Sequence, residues 1–128
     1  MVPMIEIKVK PISINEAYIS NGRRWKSDKY KSFKRSCAFL LPNRVYIPIE
    51  SFYIIYEFGF SNTLSDYDGG LKNFQDVLQE KYNFDDRMIL GAFVQKKKVN
   101  KGQEYIKFKI FAQDQKQEFL QLISEIIL

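Results

Sequence analysis

Six carboxylates fall within residues 65–86, "SDYDGGLKNFQDVLQEKYNFDD", of a 128-residue chain whose formal net charge is +5. Asp66, Asp68, Asp76, Glu80, Asp85 and Asp86 stand there against Lys72 and Lys81 alone, a local charge of −4. Crowded carboxylates raise one another's pKa values, and a bound divalent cation reverses that cost. The chemistry this suits is that of a hard cation acting on a bound polyanion. Hard cations on carboxylate oxygens activate the attacking water, neutralise the phosphate and stabilise the leaving alkoxide. The chain has no histidine, which excludes Ser-His and Cys-His nucleophile pairs and imidazole zinc sites. Any catalysis therefore falls to Asp, Glu, Lys, Tyr or a metal ion.

Two basic blocks flank the acidic one. Residues 22–35, "GRRWKSDKYKSFKR", hold seven basic side chains against Asp28, and residues 87–109 hold another seven against Glu104, a local charge of +6 in each. One isolated run of this kind is usually a solvated face. Two runs around an acidic cluster also suit a polyanion, with lysines and arginines on phosphates and carboxylates holding the ion that acts on them.

The elements that must position these residues follow from periodicity. "IEIKVK" at 5–10 alternates as a strand, and 11–24, with Pro11, Asn15, Asn21 and Gly22, reads as a loop. Ser27 caps a helix to about Leu41, stopped by Pro42, with Tyr30, Phe33, Cys37 and Leu41 on its apolar face. "FYIIYEFGF" at 52–60 reads as a strand buried on most of both faces, and a second helix spans about 69–82. Residues 88–99 and 103–111 read as strands joined by a hairpin at "NKGQ", and a last helix carries Phe119, Leu120, Ile123 and Ile127. The order βαβαββα predicts an α+β fold, one domain over 1–128, with one mixed four-stranded sheet and helices packed on it. The single cysteine, Cys37, forms no internal disulfide and reads as a small core residue. "MVPMIEIKVK" resembles neither a signal peptide nor a membrane span, so the expectation is a cytoplasmic protein without membrane association.

On the second helix, Leu71, Phe74, Leu78 and Tyr82 share one arc and Asp68, Lys72, Gln75, Asp76 and Gln79 another. Asp66 and Asp68 precede it at alternate positions, so both carboxylates can address one point. Structural roles fit these acids as well. Asp68 suits an N-cap, Asp66 the positive end of the helix dipole, and Asp85-Asp86 a turn before a strand. Whether that last pair meets the first depends on tertiary packing.

The run resembles the core signature of RusA-type Holliday junction resolvases. In that pattern an Asp-x-Asp-Asn segment opens a helix, a lysine follows four residues after the second aspartate, and an Asp-Asp pair comes about fourteen residues later. The matches are Asp66, Asp68, Lys72 and Asp85-Asp86, with "QDVLQ" around Asp76 similar to the family's Asp-Ala-Leu stretch. "PISIN" at 11–15 is similar to its Pro-Pro-Ser-x-Asn opening, and "KKKVNKGQEYIKFKI" to its basic hairpin. Residues 112–128 are less typical and read as a C-terminal helical extension. Gly69 stands where the family places asparagine.

The resemblance implies a Mg²⁺-dependent endodeoxyribonuclease, with Mn²⁺ as a substitute, that resolves four-way DNA junctions as a homodimer. Asp66, Asp68 and Asp86 would be the metal ligands, Asp86 matching the second acid of the family's pair. Lys72 would stabilise phosphate charge or hold the attacking water; an ion pair with Asp68 or Asp76 is its structural alternative. Arg23, Arg24, Lys26, Lys29, Lys31, Lys34, Arg35, Lys96, Lys97 and Lys98 are the candidate phosphate contacts. The setting implied is a bacterial cell, with a phage or prophage gene as one source. Two other functions share these residues: a catalytically silent junction-binding protein that keeps the fold, and a less selective metal nuclease that cuts other branched DNA.

Overall fold

A computed structural model of the chain describes residues 4–13, 18–20, 24–62 and 70–128. Its elements are β1 (Ile5–Ile7), β2 (Tyr18–Ser20), β3 (Arg24–Lys26), α1 (Asp28–Leu40), β4 (Phe52–Phe60), α2 (Leu71–Tyr82), β5 (Ile89–Lys98), β6 (Tyr105–Phe111) and α3 (Lys116–Ile127). A 3₁₀ turn, Asp86–Met88, leads into β5. The four-stranded sheet runs β1-β6-β4-β5, and β2 pairs antiparallel with β3 in a separate two-stranded sheet. This is the mixed α+β sheet expected from the order of elements.

β4 organises the molecule because eight of its nine residues are buried. A strand so apolar on both faces belongs in the middle of a sheet covered on both sides. Phe52, Ile54, Tyr56, Phe58 and Phe60 face a core shared with α1 and α2, where Tyr30, Phe33, Cys37, Phe74, Val77 and Leu78 meet them. Ile55, on the opposite face, packs with Phe111 and Phe119 beneath α3. Each fully buried Phe or Ile contributes about 1.5–3 kcal/mol of transfer free energy.

The central place of β4 overturns the expected hairpin. β5 and β6 do not pair; β4 lies between them, parallel to β5 and antiparallel to β6. A tight turn does form at Asn100–Gln103, with Gly102 at φ 93°, but residues 99–104 cross over the end of β4. Burying both faces and both edges of the most apolar strand outweighs the local preference for pairing neighbours. The similarity of "KKKVNKGQEYIKFKI" to a hairpin is thus a similarity of sequence alone.

Three smaller expectations are corrected. The stretch read as a loop holds the β2–β3 hairpin, and "YIS" and "RWK" around Asn21-Gly22 carried that signal. β1 ends at Ile7 rather than residue 10, where the Val9 N–H donates to the Ile7 carbonyl and takes the chain out of the ladder. On α3 the packed stripe is Phe119, Leu122, Ile123 and Ile126, whereas Leu120 and Ile127 are exposed. Phe119 stacks on Tyr53 and meets Phe111 edge-on, which sets the rotation of the helix.

Candidate functional site

The acid-bearing connection leaves β4 after Phe60 and enters α2 at Gly70, and both of its ends are anchored. At the start, Ser61 donates its hydroxyl to Glu104 Oε2 at 2.7 Å and receives Lys98 Nζ on its carbonyl. The Ser61 bond is the largest influence holding the Glu104 carboxyl below the ordinary carboxylate range. At the end, Gly70 lies against the Phe58 ring and Pro11. A Cβ there would stand 3.0 Å from the ring and 3.3 Å from the Pro11 Cβ, so any larger residue would make those neighbours give by a few tenths of an ångström. Gly70 is also the N-cap of α2, with no side-chain cap. The capping role expected of Asp68 lies outside the described residues.

Asp66 and Asp68, like Arg23, lie outside the described residues. Lys72 is exposed on the first turn of α2. A cation near the positive end of a helix is unfavourable by about 0.3–1 kcal/mol. One residue on, Asn73 is fully buried and donates Nδ2–H to the Ile12 carbonyl at 2.8 Å. Its Oδ1 is buried without a hydrogen-bond partner. Asn73 thus ties "PISIN" to the first turn of α2, joining two pieces of sequence 61 residues apart. Sequence reasoning missed it; the signal was a polar residue between Leu71 and Phe74 on an otherwise apolar arc.

β4, α2 and β5 form a parallel crossover unit, and ligands in such units bind beyond the carboxyl ends of the strands. At that end of β5, Lys96 lies over the Phe60 ring at 5.9 Å and Lys98 reaches Ser61; Lys97 is exposed. A groove of about 280 Å³ opens beside Pro11 and Ile12, lined by Lys10 and by Lys29 and Ser32 of α1. Lys31 and Arg35 are exposed on α1, whereas Lys34 pairs with Glu80 of α2 at 2.6 Å. Lys34 therefore joins two helices instead of pointing freely outward. Arg24 and Lys26 lie on β3.

Asp85 and Asp86 stand elsewhere. Asp85 caps the 3₁₀ turn, accepting from the Arg87 N–H at 2.9 Å and from its guanidinium at 3.1 Å. The backbone bond, then the guanidinium and Asp86, hold its carboxyl below the usual range, and Arg87 is raised in turn. The turn role expected for this pair is real for Asp85; Asp86 beside it is exposed. Phe84 packs edge-on against Phe52 at 5.4 Å and Ile89 is in register with Phe52, so Asp86 is bracketed at the amino end of β4. Gly70 lies at Phe58, six residues and about 20 Å further along the strand. Asp86 and Gly70 thus lie toward opposite ends of α2, and among the described residues no three His, Cys, Asp or Glu side chains form a metal nest.

The other face of the sheet holds a second polar group that the sequence reading did not single out. Glu57, mostly buried, accepts from Tyr105 Oη at 2.6 Å, and Lys107 bridges it at 3.8 Å to Glu6 at 3.5 Å. Tyr105 covers Gly59, and burial followed by the Glu57 bond raises its phenol pKa. Alternation along β4 places Glu57 on the face away from Asn73, so it is structural with respect to the candidate site. No described helix is long and apolar enough to cross a membrane. No family model matches the chain, and no curated protein matches it.

Proposed function

We propose that the protein is a metal-dependent endodeoxyribonuclease of the RusA type that acts on branched DNA, four-way junctions first among them. The observation that carries the reading is the β4–α2–β5 crossover. The connection bearing Asp66 and Asp68 springs from the carboxyl ends of its strands, with both of its ends pinned and with Lys96 and Lys98 alongside.

The donor chemistry fits Mg²⁺ or Mn²⁺. The chain offers carboxylates but no histidine, and its one thiol, Cys37, is buried and pushed up to about 12 by desolvation. That set suits hard, oxygen-seeking cations and not zinc. When bound, such an ion activates water and stabilises the leaving oxygen. Asp66, Asp68 and Asp86 would hold it, Lys72 would meet the scissile phosphate, and the lysines of α1 and β5 would hold the DNA without reading bases. The separation of Asp86 from Gly70 along α2 favours a site to which a second subunit lends its Asp86, which makes the homodimer part of this proposal. Two sites in a two-fold dimer match two symmetric strands of a junction.

The test is cleavage of synthetic four-way, flap and linear DNA with Mg²⁺, comparing the native protein with Asp68→Asn. Paired nicks in the junction, and a loss of at least about a hundredfold in the variant, are expected, roughly 3 kcal/mol of transition-state stabilisation. Native activity that survives in the variant overturns the metal assignment. Junction binding without cleavage in either metal points to the silent DNA-binding protein, and equal cutting of flaps to the less selective nuclease.

A further inference from the structure

We infer that the groove between α1 and residues 9–12 seats one unpaired nucleotide of a DNA strand, its base on the apolar floor and its phosphate on the lysines of the rim. The groove has a volume of about 280 Å³. Pro11, Ile12 and Phe33 make its floor, and all three are buried. Its rim carries Lys10 on one side and Lys29, Ser32 and Ser36 on the other, all exposed. The last three stand at i, i+3 and i+7 of α1, on one face of the helix. Lys31, Lys34 and Arg35 at the neighbouring positions are long, so the two short serines are what leaves the space open.

The chemistry of the lining selects the occupant. A bare anion gains nothing from an apolar floor, and an aliphatic ligand gains nothing from two lysines. A nucleotide has both parts, a flat base with apolar faces and an anionic phosphate, and serine hydroxyls can meet the polar edges of base or sugar. No acid stands among the described lining residues, so the charge match is to an anion. Exposed Lys31 and Arg35 continue the positive charge along α1 beyond the groove, which suits the repeated phosphates of a strand. The base has to be unpaired, because in a duplex its faces are covered by stacked neighbours. The place fits as well. Pro11 lies against Gly70 and the Ile12 carbonyl receives Asn73, so the floor and the entry to α2 are one piece of structure. Lys10 stands near the other end of the acidic connection, where its charge adds to the Ser61 bond in lowering the Glu104 carboxyl. The inference rests on the nuclease reading for its ligand and adds how a branch is told from plain duplex: a base that is already unstacked costs least to extrude.

Fluorescence anisotropy of short labelled single strands tests it, with EDTA present so that binding is read without metal or cleavage. The native protein should hold an ordinary strand at least about tenfold more tightly than the same strand made of abasic sites. Ser32→Leu with Ser36→Leu fills the groove, adds no charge and substitutes a better helix former. It should abolish that preference, so that the two strands bind within about twofold of each other, and its affinity for duplex should stay within about twofold of native. If the pair does not fold, Ser36→Leu alone should lower the preference at least about threefold. A native protein indifferent to the loss of bases overturns the inference. So does a filled variant that keeps the preference, since the bases then lie elsewhere, or one that loses duplex as strongly as single strand. Competition by oligoglutamate as effective as that by unlabelled strand assigns the groove to an acidic peptide and overturns it too. The two readings fail separately. This pattern in a protein that cuts no branched DNA with Mg²⁺ leaves the groove and removes the nuclease, and cutting without the pattern does the reverse.

Discussion

The separation of Asp86 from Gly70 along α2 can be tested by mixing two dead variants. Asp68→Asn and Asp86→Asn should each be inactive alone, since each removes a ligand from both sites of a homodimer. α2 is twelve residues long, about 18 Å, whereas carboxylates that share one hard cation have oxygens only about 2.1 Å from it. If each site takes Asp66 and Asp68 from one chain and Asp86 from the other, a heterodimer of the two variants keeps one intact site. Equal mixing with free exchange makes half the dimers heterodimers, so about a quarter of the native number of sites should return. The assay is nicking of a cruciform plasmid in Mg²⁺ after the subunits have been unfolded and refolded together, with heterodimers counted by native mass spectrometry. A mixture that holds heterodimers yet stays at the background of its parents refutes the shared site, because a site built within one chain is broken in both halves of every heterodimer.

Other outcomes follow from described contacts. Asn73→Ala removes the bond to the Ile12 carbonyl and should cost about 1–3 kcal/mol. Thermal unfolding read by circular dichroism should show this as a drop of several degrees, and Asn73→Asp should fare worse because it buries a charge with no donor. Cys37 should stay unreactive toward Ellman's reagent at pH 8 in the folded protein and react fully in denaturant, since burial lifts its thiol from 9.0 to about 12. Glu6, Asp85 and Glu104 are all held below their free values of 4.5, 3.8 and 4.5. A depressed carboxyl stabilises the fold fully above its unfolded pKa and loses that contribution as the pH falls through the folded one. The melting temperature should therefore be flat from neutral pH to about 5 and fall below about 4.5, less steeply for Glu104→Gln, as a melting series across pH will show.

Much of the fold was legible because local chemistry and tertiary demand agree at those places. Ser27 accepts from the Tyr30 N–H at 3.1 Å, as its place before the helix required. Phe74 and Leu78 are buried on α2, Tyr30, Phe33 and Cys37 on α1, and Lys72 is exposed, as a period of 3.6 dictates. Legibility failed where two arrangements were locally equal. The turn at Asn100–Gln103 forms whether or not the strands beside it pair, and on α3 the sets Leu120–Ile127 and Leu122–Ile126 are equally apolar until Tyr53 and Phe111 receive Phe119.

What the sequence determined alone is the inventory: acids gathered between lysines, no histidine, one buried thiol, and elements whose periodicity shows through short-range sterics. What only the tertiary structure decided is adjacency. β4 draws β5 and β6 to its two sides because burying it completely outweighs pairing sequence neighbours. That choice makes β5 an edge, and it sends α2 down the length of β4, so Asp86 and Gly70 lie at opposite ends of the helix. Periodicity acts over a few residues, while the distance between two carboxylates on either side of a helix is fixed by what that helix packs against.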